Sequence, residues 1–250
     1  MLDGKTAVVV GASRGLGRGV AEALSAAGAT VVALARDEGA LAELSATSPS
    51  VEATVADATD PAVAGSVIDS RDPDILAVIA GATPTIEPIH RHTWETFSQN
   101  WEVDVRIAFN WLGAALRKPL RPGSRVLMMS SGAAVMGSPL SGGYAGAKAT
   151  IRFMAAYADE EARRDGLGIR VLAVLPRITA ATELGRPAVR AYAARRGVSE
   201  EQYLSAQGPA VTPEIAGEAF RSLAADELDG DVAFMLTGAG LVAAPAPGGR

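Results

Sequence analysis

The fold of this chain is decided by the stretch Val8-Val9-Val10-Gly11-Ala12-Ser13-Arg14-Gly15-Leu16-Gly17. Three branched apolar residues predict a buried strand, and three glycines follow it in the spacing G-x-x-x-G-x-G. The next residues carry Val20 and Leu24 at helical spacing. Glycines let the backbone turn sharply, and the N-terminus of a helix offers free N–H groups and a positive dipole end. Strand, glycine loop and helix in this order predict a site for the pyrophosphate of a dinucleotide.

Further runs of branched apolar residues recur along the chain, with stretches of helical spacing between them. The complete set is Ala7 to Val10, Thr30 to Leu34, Val51 to Val55, Ile75 to Ile79, Arg125 to Met129, Ile169 to Leu175 and Val232 to Leu236. Continuous apolar runs suit strands that are buried on both faces of a parallel sheet. The alternation therefore predicts an α/β fold, with a doubly wound and mainly seven-stranded parallel sheet covered by helices on both faces.

The alternation stops between residues 177 and 210, where two short pieces with helical spacing replace it, Ala188 to Arg195 and Ser199 to Leu204. An insertion after a late strand often covers a site, so we expect a substrate lid here. Small, Pro- and Gly-rich residues predict a loose tail over residues 241–250. No linker or repeat divides residues 1–250, which are expected to form one domain. All three tryptophans lie between Trp94 and Trp111, on what the spacing predicts as one long helix, and packing explains them better than substrate stacking.

Composition excludes several chemistries. The 250 residues include no Cys and only 2 His, and 23 Lys and Arg against 28 Asp and Glu give a net charge of −5. The absence of Cys excludes thiolate nucleophiles, iron–sulfur clusters and Cys-containing zinc sites. His90 and His92 have no third ligand placed by the sequence, so we expect loop packing rather than a metal site. The acidic balance argues against a nucleic-acid partner.

Two further stretches carry no expected chemistry. The first residues hold neither a signal-peptide core nor a membrane span, so a cytoplasmic location without a membrane partner is expected. Asp159, Glu160 and Glu161 lie at helical spacing from Arg163 and Arg164. That arrangement indicates a solvated charged face.

Three residues form a candidate catalytic group. Tyr144 and Lys148 are four apart at the start of a predicted helix, so both project from one face. A phenol, with a reference pKa near ~10, needs a nearby cation to act as an acid–base group at neutral pH. Ser131 lies thirteen residues before Tyr144, at the end of an apolar run and its Ser-Ser pair. Side chains alternate along a strand, so either Ser130 or Ser131 faces the site, but not both.

This order of glycine loop, strand-end Ser and Tyr-Ala-Gly-Ala-Lys resembles the short-chain dehydrogenase/reductase family. The resemblance covers about residues 4 to 240 and implies a single-domain, Rossmann-like fold. It implies Tyr144 as the general acid/base toward a carbonyl oxygen, Ser131 as the hydrogen-bond donor to that oxygen, and Lys148 beside Tyr144 and the nicotinamide ribose. Asp104 completes the expected catalytic set, at the position where the family carries an Asn.

The same resemblance implies a cofactor site that extends from the glycine loop to the catalytic residues. Its expected members are Gly11, Ser13, Arg14, Gly15, Leu16, Gly17, Arg36, Asp57, Ala58, Ala80, Gly81, Tyr144, Lys148, Pro176, Ile178 and Thr179. The family's acidic position after the second strand falls on Ala35, followed by Arg36. An acidic residue there binds a ribose 2′-OH, whereas a guanidinium pairs with a 2′-phosphate. Arg36, and Arg14 reaching the same region from the glycine loop, therefore predict NADP rather than NAD. The alternative is that both arginines are solvated, with Arg36 paired to Asp37 or Glu38.

Three departures from the family pattern affect the site. Asp104 replaces an Asn that holds a water linked to the Lys; a carboxylate accepts that hydrogen bond but donates none. Val78-Ile79-Ala80-Gly81 replaces Asn-Asn-Ala-Gly, so the asparagines that tie this strand to its neighbours are absent. Arg177 replaces the Gly of a Pro-Gly pair near the nicotinamide, where a cation narrows the pocket or selects an acidic substrate.

The expected substrate is a small carbonyl compound or secondary alcohol of moderately apolar character. The residues expected to form its apolar pocket are Ala133, Val135, Met136, Leu140, Leu184, Tyr192 and Leu204. The leading hypothesis is an NADP-dependent oxidoreductase that interconverts a carbonyl and an alcohol. The alternative is a protein of the same fold that binds a dinucleotide as a sensor or partner platform without turnover. Family members pair through the helices that begin near Trp94 and Tyr144, so a homodimer or homotetramer is expected.

Overall fold

The computed structural model describes residues 1–225, 230 and 232–245, and eight strands of these residues form one sheet. The strands are β1 (Thr6–Val10), β2 (Thr30–Ala35), β3 (Val51–Val55), β4 (Ile75–Val78), β5 (Arg125–Met129), β6 (Arg170–Pro176), β7 (Ala233–Thr237) and β8 (Gly240–Ala243). Their order across the sheet is β3-β2-β1-β4-β5-β6-β7-β8. The strands β1 to β7 pair in parallel, and β8 pairs with β7 antiparallel. The predicted doubly wound α/β fold is confirmed.

Helices cover both faces of the sheet. They are α1 (Gly15–Ala26), α2 (Glu38–Thr47), α3 (Pro61–Arg71), α4 (Trp94–Asn100), α5 (Arg106–Arg117), α6 (Ala133–Met136), α7 (Gly142–Arg164), α8 (Gly185–Arg196), α9 (Glu200–Ser205) and α10 (Pro213–Ala225). Side chains alternate along β1, so Val8 and Val10 pack with α3, α5 and α7. Ala7 and Val9 pack on the opposite face, with α1, α2 and α10. Burial on both faces explains why the strands read as continuous apolar runs.

The eighth strand corrects the expectation for the C-terminal segment. The sequence predicts a loose tail from residue 241, but Gly240–Ala243 form β8 beside β7. The two strands are joined by a tight turn, in which the Thr237 hydroxyl donates a hydrogen bond to the Gly240 carbonyl over 3.0 Å. The run is short and is followed by Pro and Gly, so its pairing comes from the neighbouring strand rather than from its own composition. Residues 246–250 of the expected tail lie outside the described residues.

The tryptophan segment is not one uniform α-helix as predicted. A π-helical stretch, Trp101–Val105, separates α4 from α5. Trp111 is fully buried and donates its indole N–H to the Ala58 carbonyl over 3.1 Å, whereas Trp94 and Trp101 are 74% and 40% exposed. Such π-helical turns occur frequently at functional sites. Asp104, a candidate catalytic residue, lies within this one.

Asp159 is also placed differently from the expectation. It is buried instead of lying on a solvated face. Its carboxylate accepts hydrogen bonds from the Val171 N–H and the Arg170 Nε, both over 2.9 Å, and pairs with Arg163 over 2.8 Å. Because the second half of α7 packs against β6, this carboxylate fixes the start of the strand. Its role is structural, since a buried charge requires such partners.

The segment expected to form a lid contains helices α8 and α9, close to the two predicted pieces. Val189, Ala193 and Tyr203 form a small apolar cluster between these helices, apart from the two large clusters of the sheet. Ser199 begins α9 with a reciprocal capping box to Gln202. None of the helices in the described part of the chain has both the length and the apolar character to span a bilayer.

Candidate active site

One large cleft, of about 1360 Å³, opens at the carboxyl ends of strands β1 to β6. Ligands of doubly wound sheets bind at this edge, where the strand order reverses. In this sheet the reversal falls between β1 and β4. The cleft is lined by every candidate catalytic and cofactor residue of the sequence analysis: Gly11, Ser13, Arg14, Gly15, Leu16, Gly17, Arg36, Asp57, Ala58, Ala80, Gly81, Asp104, Ser131, Tyr144, Lys148, Pro176, Ile178 and Thr179.

The glycine loop lies against the end of β4 and leaves no room for side chains. Gly11 has φ +94°, and a Cβ added there would lie 2.6 Å from the Ala80 amide nitrogen. A Cβ at Gly17 would lie 2.0 Å from the Gly11 carbonyl oxygen. The first turn of α1 has no side-chain cap, whereas Asp37 and Asp60 cap α2 and α3. The uncapped α1 amides and the bare loop fit a dinucleotide pyrophosphate, which supplies its own oxygens as acceptors.

The two serines after β5 point to different partners. The Ser130 hydroxyl is buried and donates to the Lys148 carbonyl oxygen over 2.7 Å, which ties the strand to α7. Ser131 is only partly buried and lines the cleft, where its Oγ accepts a hydrogen bond from the Ala133 amide over 3.2 Å. Ser131 is therefore the serine whose hydroxyl remains available to a ligand in the cleft.

Tyr144 and Lys148 enter the cleft from the first turns of α7. The start of α7 packs closely on α4, because a Cβ added at Gly143 would lie 1.9 Å from the Phe97 carbonyl oxygen. The Lys148 ammonium lies 5.7 Å from the centre of the Tyr144 ring. It also donates to the Met129 carbonyl oxygen over 3.2 Å and pairs with the Asp104 carboxylate over 3.2 Å. A phenol and a buried cation thus stand together at the end of β5.

The charge of Lys148 is maintained by its surroundings. Burial by itself would lower the pKa of this ammonium, but the negative charge of Asp104 and the neighbouring Tyr144 outweigh that effect. The net result is a pKa for Lys148 above its ordinary value. Lys148 therefore remains a cation over the whole neutral range.

Asp104 binds two groups, the Lys148 ammonium and the backbone that follows β4. Its Oδ1 accepts a hydrogen bond from the Ala82 amide over 2.8 Å, and its carboxylate lies so near Gly81 that an added Cβ would be 2.8 Å from it. Asn100, which sequence reasoning missed, donates to the Ala82 carbonyl over 2.9 Å and reaches Asp104 over 3.4 Å. Asn100 lies four residues before Asp104, and this helical spacing is the sequence signal that could have placed it beside Asp104. Together they tie the segment after β4 to the helical segment that carries Asn100 and Asp104.

The end of the cleft beside β2 and β3 carries Arg36 and Asp57. Hydrogen bonds from the amide and the hydroxyl of Thr59, over 2.9 and 2.8 Å, lower the pKa of Asp57, and the charge of Arg36 contributes in the same direction. Arg36 is exposed at the end of β2, and no carboxylate of the described residues lies within ion-pair distance of it. Arg14, expected to reach the same region, instead pairs with Glu183 over 2.8 Å, just before α8.

The family's sequence profile, described as short chain dehydrogenase, matches residues 5–193. The chain belongs to the short chain dehydrogenase family. It is 34% identical to L-xylulose reductase of Homo sapiens over 105 residues, which are 42% of this chain and 43% of that protein. It is 31% identical over 107 residues to carbonyl reductase 2 of Sus scrofa, whose name specifies NADPH; these are 43% of this chain and 44% of that protein. The chain thus matches less than half the length of these relatives.

A solved structure described as NAD+-bound xylitol dehydrogenase has the same fold, with a TM-score of 0.80 at 21% identity. The superposition covers 90% of this chain and 94% of that one. At this level of identity the likeness concerns the fold alone.

The apolar wall of this short chain dehydrogenase differs in part from the expected one. Ala133, Met136, Leu184 and Tyr192 line the cleft, whereas Val135, Leu140 and Leu204 do not. Val135 is one residue from Met136 on the short helix α6 and so faces another direction, and Leu140 is a buried residue of the loop before α7. The Tyr192 hydroxyl hydrogen-bonds the Ser138 hydroxyl, which links helix α8 to that loop.

The two histidines lie outside the cleft. His92 hydrogen-bonds the Thr96 hydroxyl over 3.1 Å and the Glu87 carbonyl oxygen over 2.9 Å, so its ring has structural partners. In the part of the chain that the structure describes, no three His, Asp or Glu side chains are arranged to hold a metal ion.

Proposed function

We propose that the protein is an NADP-dependent oxidoreductase that interconverts a carbonyl compound and a secondary alcohol by hydride transfer. The observation that carries this proposal is the meeting, in one cleft, of the glycine loop with Ser131, Tyr144 and Lys148. The names of the matched relatives, a xylulose reductase and a carbonyl reductase, support the same class of reaction. The glycine loop and the uncapped start of α1 would hold the pyrophosphate.

When bound, NADPH supplies the hydride. Tyr144 gives its phenolic proton to the substrate oxygen during reduction and takes it back during oxidation. The Ser131 hydroxyl donates a hydrogen bond to that oxygen, whose negative charge grows in the transition state. The Lys148 ammonium stabilises the phenolate left on Tyr144, and since two of its three N–H groups are used by Met129 and Asp104, one remains for a ribose hydroxyl.

The proposal is tested by following the absorbance of NADPH with a panel of ketones, aldehydes and quinones. Turnover that depends on Tyr144 supports it. Binding of NADPH without turnover of any compound in the panel would support the alternative, a dinucleotide sensor of the same fold.

The preference for NADP is assigned to Arg36, whose guanidinium would pair with the 2′-phosphate. The Arg36→Gln variant is expected to raise the KM for NADPH about 10-fold, the usual range for one exposed charge-assisted hydrogen bond, while the KM for NADH stays within about 2-fold. Arg18→Gln is the matched control, because Arg18 lies on α1, pairs with Glu22 and Glu43, and does not line the cleft. Equal changes for both coenzymes, or none for either, would contradict this assignment.

The proposed assembly is a homodimer or homotetramer built on the helices that carry exposed aromatic residues. Trp101, Phe109, Phe153 and Tyr157 are between 40% and 64% exposed, on the π-helical stretch, α5 and α7. Exposed apolar surface of this kind marks an interaction site. Light scattering is expected to give a mass of two or four chains, and a Phe109→Glu variant is expected to shift it toward one chain. A single-chain mass for the unaltered protein would contradict the proposed assembly.

The proposed function also includes a cytoplasmic location and a substrate lid formed by residues 177–210.

A further inference from the structure

We propose that the carbonyl substrate carries an anionic group, a carboxylate or a phosphate, which Arg177 binds beside the reacting carbonyl. This inference rests on the proposed function, because it names the substrate class of the same cleft. Arg177 stands where the family carries a Gly, and the charges around it favour an anionic ligand.

Arg177 is held next to the catalytic serine by the sheet. It directly follows β6, and its amide donates to the Leu236 carbonyl oxygen over 2.9 Å. The preceding Pro176 carbonyl accepts a hydrogen bond from the Gly132 amide over 2.9 Å. Gly132 directly follows Ser131, so the backbone of Arg177 stands beside the turn that carries the serine hydroxyl. The Arg177 side chain is partly buried and lines the cleft.

The carboxylates at this end of the cleft already have partners. Asp104 pairs with Lys148, Glu183 with Arg14 and Glu102 with Arg106. Among the described residues, no carboxylate lies within ion-pair distance of Arg177. The same holds for Arg186 and Arg195 of the lid helix α8, which also line the cleft.

The lid side of the cleft therefore has a surplus of positive charge, although the chain as a whole carries a net charge of −5. A partly buried guanidinium without a counterion keeps its charge and loses part of its hydration, so an incoming oxyanion gains a strong partner. Carboxylate and phosphate oxygens match the fork of a guanidinium with two parallel hydrogen bonds.

The rest of the cleft indicates the shape of such a substrate. Met136, Leu184 and Tyr192 form an apolar wall on the lid side. A compound with an apolar body, a carbonyl group at Ser131 and Tyr144, and an oxyanion at Arg177 would satisfy all three parts of the surface. Neutral ketones would leave the guanidinium without a partner, and this is the physical basis of the expected selectivity.

The test compares each acid with its neutral counterpart in NADPH-dependent reduction. The pairs are phenylglyoxylate and its methyl ester, levulinate and methyl levulinate, and dihydroxyacetone phosphate and dihydroxyacetone; the last pair separates phosphate from carboxylate recognition. We expect kcat/KM for at least one acid to exceed that of its partner about 10-fold or more, and Arg177→Gln to reduce this ratio to about 1. Arg190→Gln is the matched control, because Arg190 lies on α8, pairs with Glu200 and does not line the cleft. Its ratio should equal that of the unaltered protein.

A second readout does not need turnover. Calorimetric binding of phenylpropionate to the NADPH-loaded protein should be about 10-fold tighter than binding of phenylpropionamide, and Arg177→Gln should remove the difference. Equal handling of acids and neutral partners by the unaltered protein in both measurements would overturn the inference. An Arg177→Gln variant that weakens NADPH binding but keeps the acid preference would overturn it too, since Arg177 would then serve the cofactor. Reduction of the esters alone would overturn the inference but still support the proposed function. Selective binding of acids without any turnover would contradict the proposed function but still support an anion site at Arg177.

Discussion

Replacement of Tyr144 by Phe is expected to lower kcat/KM for carbonyl reduction about 100- to 10,000-fold, the usual contribution of a positioned general acid. The substitution removes only the hydroxyl, so the ring and its contact with the Lys148 ammonium remain. NADPH binding should change by less than about 3-fold, because the loss falls on the proton transfer rather than on the pyrophosphate site. Single-turnover and steady-state kinetics with the same ketone separate the two effects.

The same helix offers a matched control. Tyr157 is 60% exposed on α7, outside the cleft, and stacks on Phe153. Tyr157→Phe should leave kcat/KM within about 2-fold of the unaltered protein, because it removes a hydroxyl outside the cleft and keeps the ring that belongs to the proposed subunit interface. If Tyr144→Phe and Tyr157→Phe have the same small effect, Tyr144 is not the proton donor.

Replacement of Lys148 by Met is expected to destabilise the fold by about 3 to 5 kcal/mol, because the buried Asp104 carboxylate loses the cation that compensates it. It should also remove most of the activity, since the phenolate of Tyr144 loses its cation. Chemical denaturation measures the first effect, and reduction of a ketone with NADPH measures the second.

The pH dependence of the stability follows from the direction of the pKa shift. The pKa of Lys148 is raised in the folded state, where burial opposes and the charge of Asp104 favours the cation. A raised pKa means that the ion pair contributes fully below the ordinary lysine value of about 10.4 and is lost only as the pH rises through the raised value. The stability difference between the unaltered protein and Lys148→Met should therefore be the same at neutral and at mildly alkaline pH. A stability difference that shrinks or disappears between neutral and mildly alkaline pH would contradict the pairing.

A second substitution separates stability from catalysis. In the Lys148→Met/Asp104→Asn double variant no buried charge is left unpaired, so stability should recover by about 2 kcal/mol or more while activity stays low. Asp104→Asn alone should remain active, with its pH–rate curve moved to lower pH, because the charge of Lys148 is then less compensated. An unmoved curve would show that the carboxylate does not act on the acid–base group through Lys148.

The sequence predicts the central part of this fold well, because burial on both faces produces continuous apolar runs. The predicted Val51 to Val55 and Arg125 to Met129 agree with β3 and β5 at both ends. The eighth strand could not be predicted in this way, since Gly240–Ala243 owes its conformation to pairing with β7. The π-helical turn at Trp101–Val105 could not be predicted either, because one wider turn within a long helix has no sequence signal of its own.

In the candidate site, too, local features could be predicted from the sequence, whereas contacts between distant elements could not. The glycine loop and the Tyr144-to-Lys148 spacing depend on local geometry, which a sequence records directly. The bond from Asn100 to Ala82 and the burial of Asp159 depend on which elements meet in space. The unpaired state of Arg177 among the described residues is likewise a property of the assembled cleft, because it depends on Glu183, just before α8, pairing with Arg14 and on Glu102 of the π-helical turn pairing with Arg106.

The hydride transfer itself can be measured with NADPH deuterated at the transferable position of the nicotinamide and a ketone substrate, by mass spectrometry of the alcohol formed. The expected result is a single deuterium on the carbinol carbon with the unaltered protein, formed at a strongly reduced rate with Tyr144→Phe and at the normal rate with Tyr157→Phe. The contradicting result is tight NADPH binding with no deuterium in any product, or deuterium transfer that is equally fast with Tyr144→Phe.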